Sequence, residues 1–455
     1  MGYSSFLSIV FMIQMVMMTM SSKIGSVSCR SISTVRSIPT FLVRNISAQP
    51  RVQQQRYCNR NFPSWRRPRG RVRYMTSSSA MIANSDSTSQ SINNERQQRP
   101  SFTIYYNDVY EVILPPNHRF PMEKYGKVRR RIQNKIDALS PQEKNRISCE
   151  FRVSPLSRVE ELSTTHSPVY VARFLNGDLT KEEIRNVGFP WSKSGVDRAL
   201  SSVGGTVQAA CDVCDELVRR TGHNISHDEG EMPPIWAAHV AGGTHHAFFD
   251  YGEGFCVFSD IAVAANVVLQ RYPSVVKRIL IIDLDVHQGN GNAVLFQGRD
   301  DVRTFSMHCS GNYFSERQTS DLDVELPMGC TDETYLATLY HWINQMRKND
   351  DIAKGVDLIF FQAGVDILHD DRLGRMSITS NGVERRNKLV FDFAHSLQIP
   401  MVITMGGGYP RANNWDPILE AHANVYFQAH QYLSNLSEIN ISSKEDRSEL
   451  ISDNK

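Results

Sequence analysis

The chain has 455 residues, of which 41% are hydrophobic and 22% charged, so it can bury a large core and is not a mainly disordered protein. Its formal net charge of +2 combines two unlike parts, since residues 1–85 hold 12 Lys and Arg but no Asp or Glu. The remaining 38 basic and 48 acidic residues give residues 86–455 a net charge of −10. That acidic part argues against direct nucleic-acid binding.

Residues 1–85 are rich in Ser and Arg and free of acidic residues, which is typical of a mitochondrial or plastid transit peptide. The apolar run over residues 6–20 admits a secretory signal as an alternative, but no charged residue precedes it and a basic Ser/Arg segment follows it. The run is shorter than the ~20 residues that span a bilayer, so no stable membrane span is expected. A basic nucleic-acid-binding arm is a third alternative. The leading interpretation is an organelle address, for a chloroplast or a mitochondrion.

The rest of the chain divides into a polar linker over residues 86–101, one domain over residues 102–430 and a polar tail over residues 431–455. Within the domain, short apolar runs alternate with amphipathic segments, which predicts an α/β fold with a central parallel sheet. Strands are predicted over residues 235–240, 278–284, 302–307, 358–362 and 400–404. Helices are predicted over residues 180–185, 257–272, 332–347 and 381–397, the first opened by a capping box of Thr180 and Glu183.

A lone CxxC pair, Cys211 and Cys214, has helical spacing and no second pair or HxxxH nearby. We therefore interpret these cysteines as two thiols on a helix face rather than as a zinc or redox site.

Polar clusters follow four of the five predicted strands, over residues 242–247, 283–291, 363–366 and 406–409. Ligands of parallel sheets bind outside the carboxyl ends of the strands. The sequence therefore predicts that the four clusters converge at one edge of the sheet.

The cluster DLDVH offers metal ligands. In an extended strand, residues spaced by two point to one face, so Asp283, Asp285 and His287 are expected to share a face. Asp366, in apolar surroundings at another strand end, is the further candidate. Two Asp and one His leave an open position on a four-coordinate metal, as in catalytic sites, and this ligand set fits zinc. A metal so held makes water a nucleophile near neutral pH, which predicts hydrolysis.

Hydrolysis also needs an acid and a base, and the adjacent His245 and His246 can supply both. Asp283, if it is not a ligand, can orient one imidazole, and Asn290 can orient the other without adding charge. Tyr409 follows three glycines and, as a protonated phenol at pH 7, can donate to a developing oxyanion.

These motifs occur in the order GGTHHA, GFCVFSD, DLDVHQGNG, QAGVD and GGGY, and together they closely resemble the zinc-dependent histone deacetylase family. The segments LPPNHRFPMEKY and SDLDVELP resemble signatures of its class IV branch and bacterial relatives. The resemblance spans about residues 102–428. It implies the arginase/deacetylase fold, a three-layer α/β/α sandwich, and hydrolysis of the amide of N6-acetyl- or acyl-lysine to free lysine and acetate.

The resemblance also implies roles for individual residues. One zinc ion would bind Asp285, His287 and Asp366, with His246 as general acid/base, His245 paired with Asp283, and Tyr409 polarising the acyl carbonyl. The acyl-lysine channel would be lined by Gly254 and Phe255, with Tyr313 or Phe314 opposite. The family also binds potassium through main-chain oxygens, here near Asp283, Asp285, His287, Ser306 and Met307.

Two positions depart from parts of the family. Asn290 stands where some members have Asp, so the charge of His246 is expected to differ from theirs. Gly289 stands where arginase relatives place an Asp for a second metal, which argues against a binuclear manganese enzyme. The length of the acyl group stays open.

Acyl-lysine proteins are the expected partners, and histone tails are among them if the protein is nuclear, the alternative location. Two alternative functions are a deacetylase of small amines such as acetylpolyamines and a catalytically silent acyl-lysine-binding module.

Overall fold

The computed structural model describes residues 100–222, 233–312, 315–348 and 352–452, with only the backbone described for residues 438–452. Within these residues there are eight strands: β1 (Ser101–Tyr106), β2 (Ser148–Val153), β3 (Trp236–His239), β4 (Ile279–Asp283), β5 (Val302–Cys309), β6 (Leu322–Leu326), β7 (Leu358–Gln362) and β8 (Met401–Thr404). They form one sheet in the order β2-β1-β3-β8-β7-β4-β5-β6, and every neighbouring pair is parallel.

The helices of the same residues connect the strands: α1 (Lys124–Asp137), α2 (Pro141–Arg146), α3 (Val159–Leu162), α4 (Pro168–Asn176), α5 (Lys181–Val187), α6 (Lys193–Gly222), α7 (Asp260–Arg271), α8 (Asn290–Leu295), α9 (Asp332–Lys348), α10 (Ser380–Ser396) and α11 (Asp416–Ser452). None of them combines the length and apolarity needed to cross a membrane.

Helices cover both faces of the sheet, so the middle strands are apolar at nearly every position. In β4, Ile279 and Ile281 pack into the core that contains α4, α6 and α7. Leu280 and Ile282 pack into the opposite core, against α1, α9, α10 and α11. This three-layer arrangement confirms the predicted α/β/α fold with a parallel sheet.

The four middle strands end at the same level. His239, Thr404, Gln362 and Asp283 lie side by side in register on β3, β8, β7 and β4. The loops that follow these strands therefore leave the sheet next to one another, as the sequence predicted.

The five predicted strands and four predicted helices are confirmed, with shifts of one to three residues at most ends. The capping box of α5 is also present, since Thr180 Oγ1 accepts from Glu183 N at 3.2 Å and Glu183 Oε2 accepts from Thr180 N at 2.7 Å. Cys211 and Cys214 are buried in α6, where burial raises their thiol pKa values, as expected of helix-face thiols.

The prediction of a strand over residues 278–284 extended too far toward the site, because β4 ends at Asp283. The chain bends there, as Asp283 Oδ1 accepts from Asp285 N at 3.2 Å and Asp285 Oδ1 accepts from His287 N at 3.0 Å. Asp285 and His287 thus lie in a loop beyond the strand. At the other end of the domain, α11 continues through the segment that its composition assigned to a polar tail.

Candidate active site

The loops after β3, β4, β7 and β8 bring the predicted ligands, histidines and tyrosine together at the carboxyl edge of the sheet. Of these, the loops after β3, β4 and β8 line one cavity of about 390 Å³, counting its opening to solvent, while Asp366 of the loop after β7 lies next to Gly407 in its wall. We call it the active-site cavity, and its walls include Phe120, Lys124, His245, His246, Gly254, Phe255, Asp285, His287, Gly407 and Tyr409.

Asp285, His287 and Asp366 form the candidate metal site. One donor atom of each lies within 4.8 Å of the others, and all three side chains are buried. The ring atom that faces the carboxylates is His287 Nδ1, which is 3.3 Å from Asp285 Oδ1 and 3.4 Å from Asp366 Oδ2. The predicted ligand set therefore converges, without Asp283.

These residues fit a divalent cation. Asp366 Oδ1 accepts from Val286 N at 2.9 Å, whereas Asp366 Oδ2 is buried and has no hydrogen-bond partner among the described residues. Burial and the charge of Asp285 raise the pKa of Asp366 to about 7. A bound cation would coordinate Oδ2, whose nearest polar neighbour is His287 Nδ1 at 3.4 Å, and would favour the ionised carboxylate. Two oxygens and one imidazole nitrogen match the ligands of a catalytic zinc site.

Asp283 orients His245 instead of joining the metal ligands. Its Oδ2 lies 2.7 Å from His245 Nδ1, and both side chains are buried. Burial lowers the pKa of His245, but the charges of Asp283 and Asp285 outweigh it and raise that pKa to about 9. His245 is therefore held as a cation at neutral pH. Gly289 permits the close packing here, since a Cβ at that position would collide with Asp283 Oδ2.

His246 has a neutral partner at the equivalent ring atom. Its Nδ1 lies 2.7 Å from Asn290 Oδ1, which also accepts from Gly291 N at 2.9 Å and is thereby identified as the amide oxygen. An amide oxygen only accepts, so His246 Nδ1 carries the proton and Nε2 keeps the lone pair. Burial and the positive charge of His245 hold the pKa of His246 well below its usual range. The site therefore pairs one charged and one neutral imidazole.

The loop after β3 carries both histidines and is fixed by a carboxylate at the start of α7. Asp260 accepts from Gly243 N at 3.0 Å and from Thr244 N at 2.7 Å. It also accepts from Thr206 Oγ1 at 2.6 Å, and the same Thr206 hydroxyl contacts His239 of β3. This anchor was not predicted, because Asp260 resembles an ordinary helix-start acid.

Tyr409 closes the opposite wall of the active-site cavity. Its backbone N–H donates to Asp371 Oδ2 at 2.6 Å, and its ring contacts the rings of Phe120 and Phe255 at centroid distances of 6.3 and 6.2 Å. Burial raises the pKa of Tyr409 well above its usual range, so the phenol remains a donor. Asp371, which also accepts from Leu373 and Gly374 N–H groups, positions this turn and was not predicted.

Lys124, like Asp260 and Asp371, is a residue of the site that was not predicted from the sequence, although it lies in the MEKY segment. Its ammonium is 1% exposed and donates to Gly408 O at 3.0 Å beneath the ring of Tyr409, 5.2 Å from the ring centroid. Burial lowers the pKa of Lys124 to about 8. A buried cation therefore borders the active-site cavity.

The channel residues fall into two groups. Gly254 and Phe255 line the active-site cavity, and Phe255 has a left-handed backbone with φ of 68°, which is strained for a bulky residue. Tyr313 and Phe314 lie outside the described residues. Ser306 is the register partner of Asp283 on β5, with Met307 next to it, and potassium binding there stays a prediction.

Comparisons with known proteins agree with this geometry. A family model described as the histone deacetylase domain matches residues 120–425. The chain is 36% identical over 327 residues to an uncharacterized protein of Picosynechococcus sp., covering 71% of this chain and 97% of that protein. It is 26% identical over 333 residues to histone deacetylase 2 of Arabidopsis thaliana, covering 68% and 75%. It is 27% identical over 293 residues to acetoin utilization protein AcuC of Bacillus subtilis, covering 60% and 69%.

Proposed function

Since the chain belongs to the histone deacetylase family and is a hydrolase of amide bonds, we propose that it is a zinc-dependent lysine deacylase. Its substrate would be an N6-acyl-lysine side chain in a protein, and its products a free lysine amine and a carboxylate. The observation that carries this proposal is a cluster of three buried candidate metal ligands, two of which line the same cavity as a neutral histidine and a tyrosine.

Zinc would be held by Asp285, His287 and Asp366, and when bound it supplies a Lewis acid that lowers the pKa of water. Asp366 Oδ2 supports this assignment, because it is buried and makes no hydrogen bond to the described residues. The bend after β4 supports it as well, because it aims Asp285 and His287 at Asp366 while Asp283 turns to His245.

His246 would move the proton. Its unprotonated Nε2 accepts a proton from the attacking water as the water oxygen bonds to the carbonyl carbon. The same proton then passes to the amide nitrogen while the C–N bond breaks, so the lysine leaves as an amine. His245, held charged by Asp283, stabilises the negative charge that develops on the carbonyl and the water.

Tyr409 would donate a hydrogen bond to the carbonyl oxygen, whose negative charge grows in the transition state. Its high pKa keeps the proton on the phenol, and the bond from its own N–H to Asp371 fixes the turn that carries the ring. Such preorganised donors contribute strongly because they need no rearrangement during the reaction.

All the side chains that turnover requires are present, which argues against a catalytically silent binding module. Acyl-lysine proteins are the proposed substrates, with histone tails among them if the protein reaches the nucleus. The net charge of −10 over residues 86–455 suits basic, lysine-rich peptides.

The test is acetate release from an acetyl-lysine peptide by the zinc-loaded full chain. We expect His246→Ala to lower kcat/KM by about 10²–10⁴-fold and Tyr409→Phe to lower it by about 10²–10³-fold. Removal of zinc by a chelator should abolish the activity, and added zinc should restore it.

The matched controls are His341→Ala and Tyr340→Phe, two exposed positions on α9, which should keep wild-type rates. Thermal unfolding of each variant checks that the domain remains folded. Full activity in both His246→Ala and Tyr409→Phe would overturn the proposal.

A further inference from the structure

A second cavity adjoins the active-site cavity. It encloses about 770 Å³, counting its opening to solvent, and shares Phe120, Tyr125, Thr244 and Phe255 with the active-site cavity. We call it the side chamber. Its walls are mostly apolar and include Phe120, Phe174, Leu179, Ile184, Phe189 and Phe255.

The side chamber, which is open to solvent, leaves more space than the methyl of an acetyl group fills. The methyl of an acetyl group is about the size of a water molecule, whose share of the liquid is ~30 Å³. With the lysine side of the amide along Gly254 and Phe255, as the proposed function requires, the acyl side would face the remaining walls. Phe120, Tyr125 and Thr244 border both cavities, so an acyl group that passes beside them would find room for more carbons in the side chamber.

One wall of the side chamber is polar and comes from α6. Gly195, Arg198, Ala199 and Ser202 follow one another at helical spacing and all line the chamber. Ser202 Oγ accepts from Asn107 Nδ2 at 3.1 Å, which leaves the hydroxyl proton available to a ligand. The chamber is thus apolar along its body and polar at this wall.

Arg198 is a buried cation without a carboxylate partner among the described residues. It is 7% exposed, its Nη1 donates to Asn107 O at 3.0 Å, and its guanidinium carbon lies 3.9 Å from the centroid of Tyr125. Its Nη2 is buried and makes no hydrogen bond. Burial lowers the pKa of Arg198, and Asp108 is the carboxylate whose charge opposes that lowering. It already accepts from Arg129 Nε and Nη2, at 2.8 and 2.9 Å.

A buried guanidinium that lacks a counter-ion is costly, and a ligand carboxylate is the group that fits its planar donors. Lys124 adds a second buried cation on the wall of the active-site cavity, beyond Tyr125. An acidic end group would therefore meet positive charge along its path.

We propose that the side chamber binds the outer part of the substrate's acyl group, and that this group is longer than acetyl and ends in a carboxylate bound by Arg198 and Ser202. This inference rests on the proposed deacylase function and names the class of its substrate, a dicarboxylic acyl-lysine. Phe174, Leu179 and Phe189 would pack against the methylene groups.

The test compares two peptides that differ only at the end of the acyl chain. Glutaryl-lysine and pentanoyl-lysine have acyl groups of equal length, one ending in a carboxylate and the other in a methyl. With the zinc-loaded full chain, we expect kcat/KM for the glutaryl peptide to exceed that for the pentanoyl peptide by about tenfold or more. Arg198→Met should reduce that ratio to about one or below, since it keeps the bulk and removes the donors.

Two further variants keep the test decisive. Ala199→Leu fills the chamber without touching the charge, so it should lower the rates on both five-carbon peptides relative to the acetyl peptide even if Arg198→Met fails to fold. The matched control is Arg303→Met, which removes a mostly buried arginine of β5 that pairs with Asp300 and Asp321 and should preserve the glutaryl-to-pentanoyl ratio.

Several results would overturn the inference. The first is a glutaryl-to-pentanoyl ratio of kcat/KM of one or less in the wild-type protein. The second is faster hydrolysis of longer neutral acyl chains. Either result would mean that the chamber binds only apolar groups. An unchanged ratio in Arg198→Met, together with weaker inhibition by free acetate, would assign Arg198 to the released product. If no acyl peptide is hydrolysed at all, the proposed function fails, whereas hydrolysis of the acetyl peptide with a ratio of one or less removes this inference alone.

Discussion

At the scale of single residues, the two adjacent histidines differ chiefly in the group that faces Nδ1. Asp283 and Asn290 both lie 2.7 Å from a ring nitrogen, but one carries a charge and the other does not. That difference gives His245 a pKa of about 9 and holds the pKa of His246 far below its usual range. One site thus contains a charged and a neutral imidazole with nearly the same geometry.

Asn290→Asp should change the charge of this pair without removing a hydrogen bond, because Asn290 Nδ2 has no partner among the described residues. A carboxylate beside His246 favours the imidazolium and raises its pKa. His246 must be unprotonated to accept a proton, so activity is lost as the pH falls through its pKa. We expect the acid limb of the pH profile of kcat/KM to move upward by about one to three pH units.

The control for this variant is Asn413→Asp, which adds the same charge at an exposed position. It should leave the pH profile in place. A profile for Asn290→Asp that coincides with that of the wild type would mean that His246 is not the base.

At the scale of elements, the glycine loop after β8 forms the inner wall of the proposed zinc site. Gly407 N donates to Asp285 Oδ2 at 2.7 Å, which brings its backbone against the candidate ligands. A Cβ at position 407 would collide with Asp366 Oδ2 and would approach Asp285 Oδ2 to 2.8 Å. The loop therefore needs glycine here for close approach.

Gly407→Ala should displace one or both carboxylates and weaken zinc binding by about 10–100-fold, the scale of changes around metal ligands. The measurement is zinc content per chain after equilibration with graded chelator concentrations, with thermal unfolding to check the fold. Gly222→Ala is the matched control, because a Cβ there, at the end of α6, meets no atom of the described residues within 4 Å. Equal zinc retention by both variants would contradict the assigned role of the loop.

Some of the strands and loops could be predicted from the sequence, and others could not. The strands β3, β4, β7 and β8 are continuous apolar runs followed by polar clusters, so both their positions and the convergence of their loops were predictable. The edge strand β2 has mostly exposed or half-buried residues and lacks that signal. The bend after Asp283 depends on side chains that accept backbone N–H groups, and no spacing rule for strands contains that information.

Lys124 and Arg198 show the same limit for single residues. Each is charged and stands in an amphipathic helix, where a solvent-exposed position is the usual expectation. Their burial arises from neighbours distant in sequence, Gly408 for Lys124 and Asn107 for Arg198. The parts of the cavity walls formed by Lys124 and Arg198 could therefore be identified only in the folded structure.

At the scale of the whole molecule, the sequence joins a basic segment to an acidic domain. Residues 1–85 carry 12 positive charges, and the net charge of −10 belongs to residues 86–455. The domain's acids include the three proposed zinc ligands, whose charge the ion would partly balance. Because a transit peptide is removed after import, the acting protein would be the acidic part alone.

We therefore expect a full-length chain fused at its carboxyl end to a fluorescent protein to enter a plastid or a mitochondrion and to be shortened there by about the length of the leader. Deletion of residues 1–85 should leave the fusion outside the organelle, and residues 1–85 alone should carry the fluorescent protein in. The matched variant replaces Arg66, Arg67, Arg69, Arg71 and Arg73 by Gln, which keeps the length, removes five of the 12 positive charges and should reduce import. An uncut full-length protein in the nucleus would contradict the transit-peptide interpretation and would make histone tails the first substrates to test.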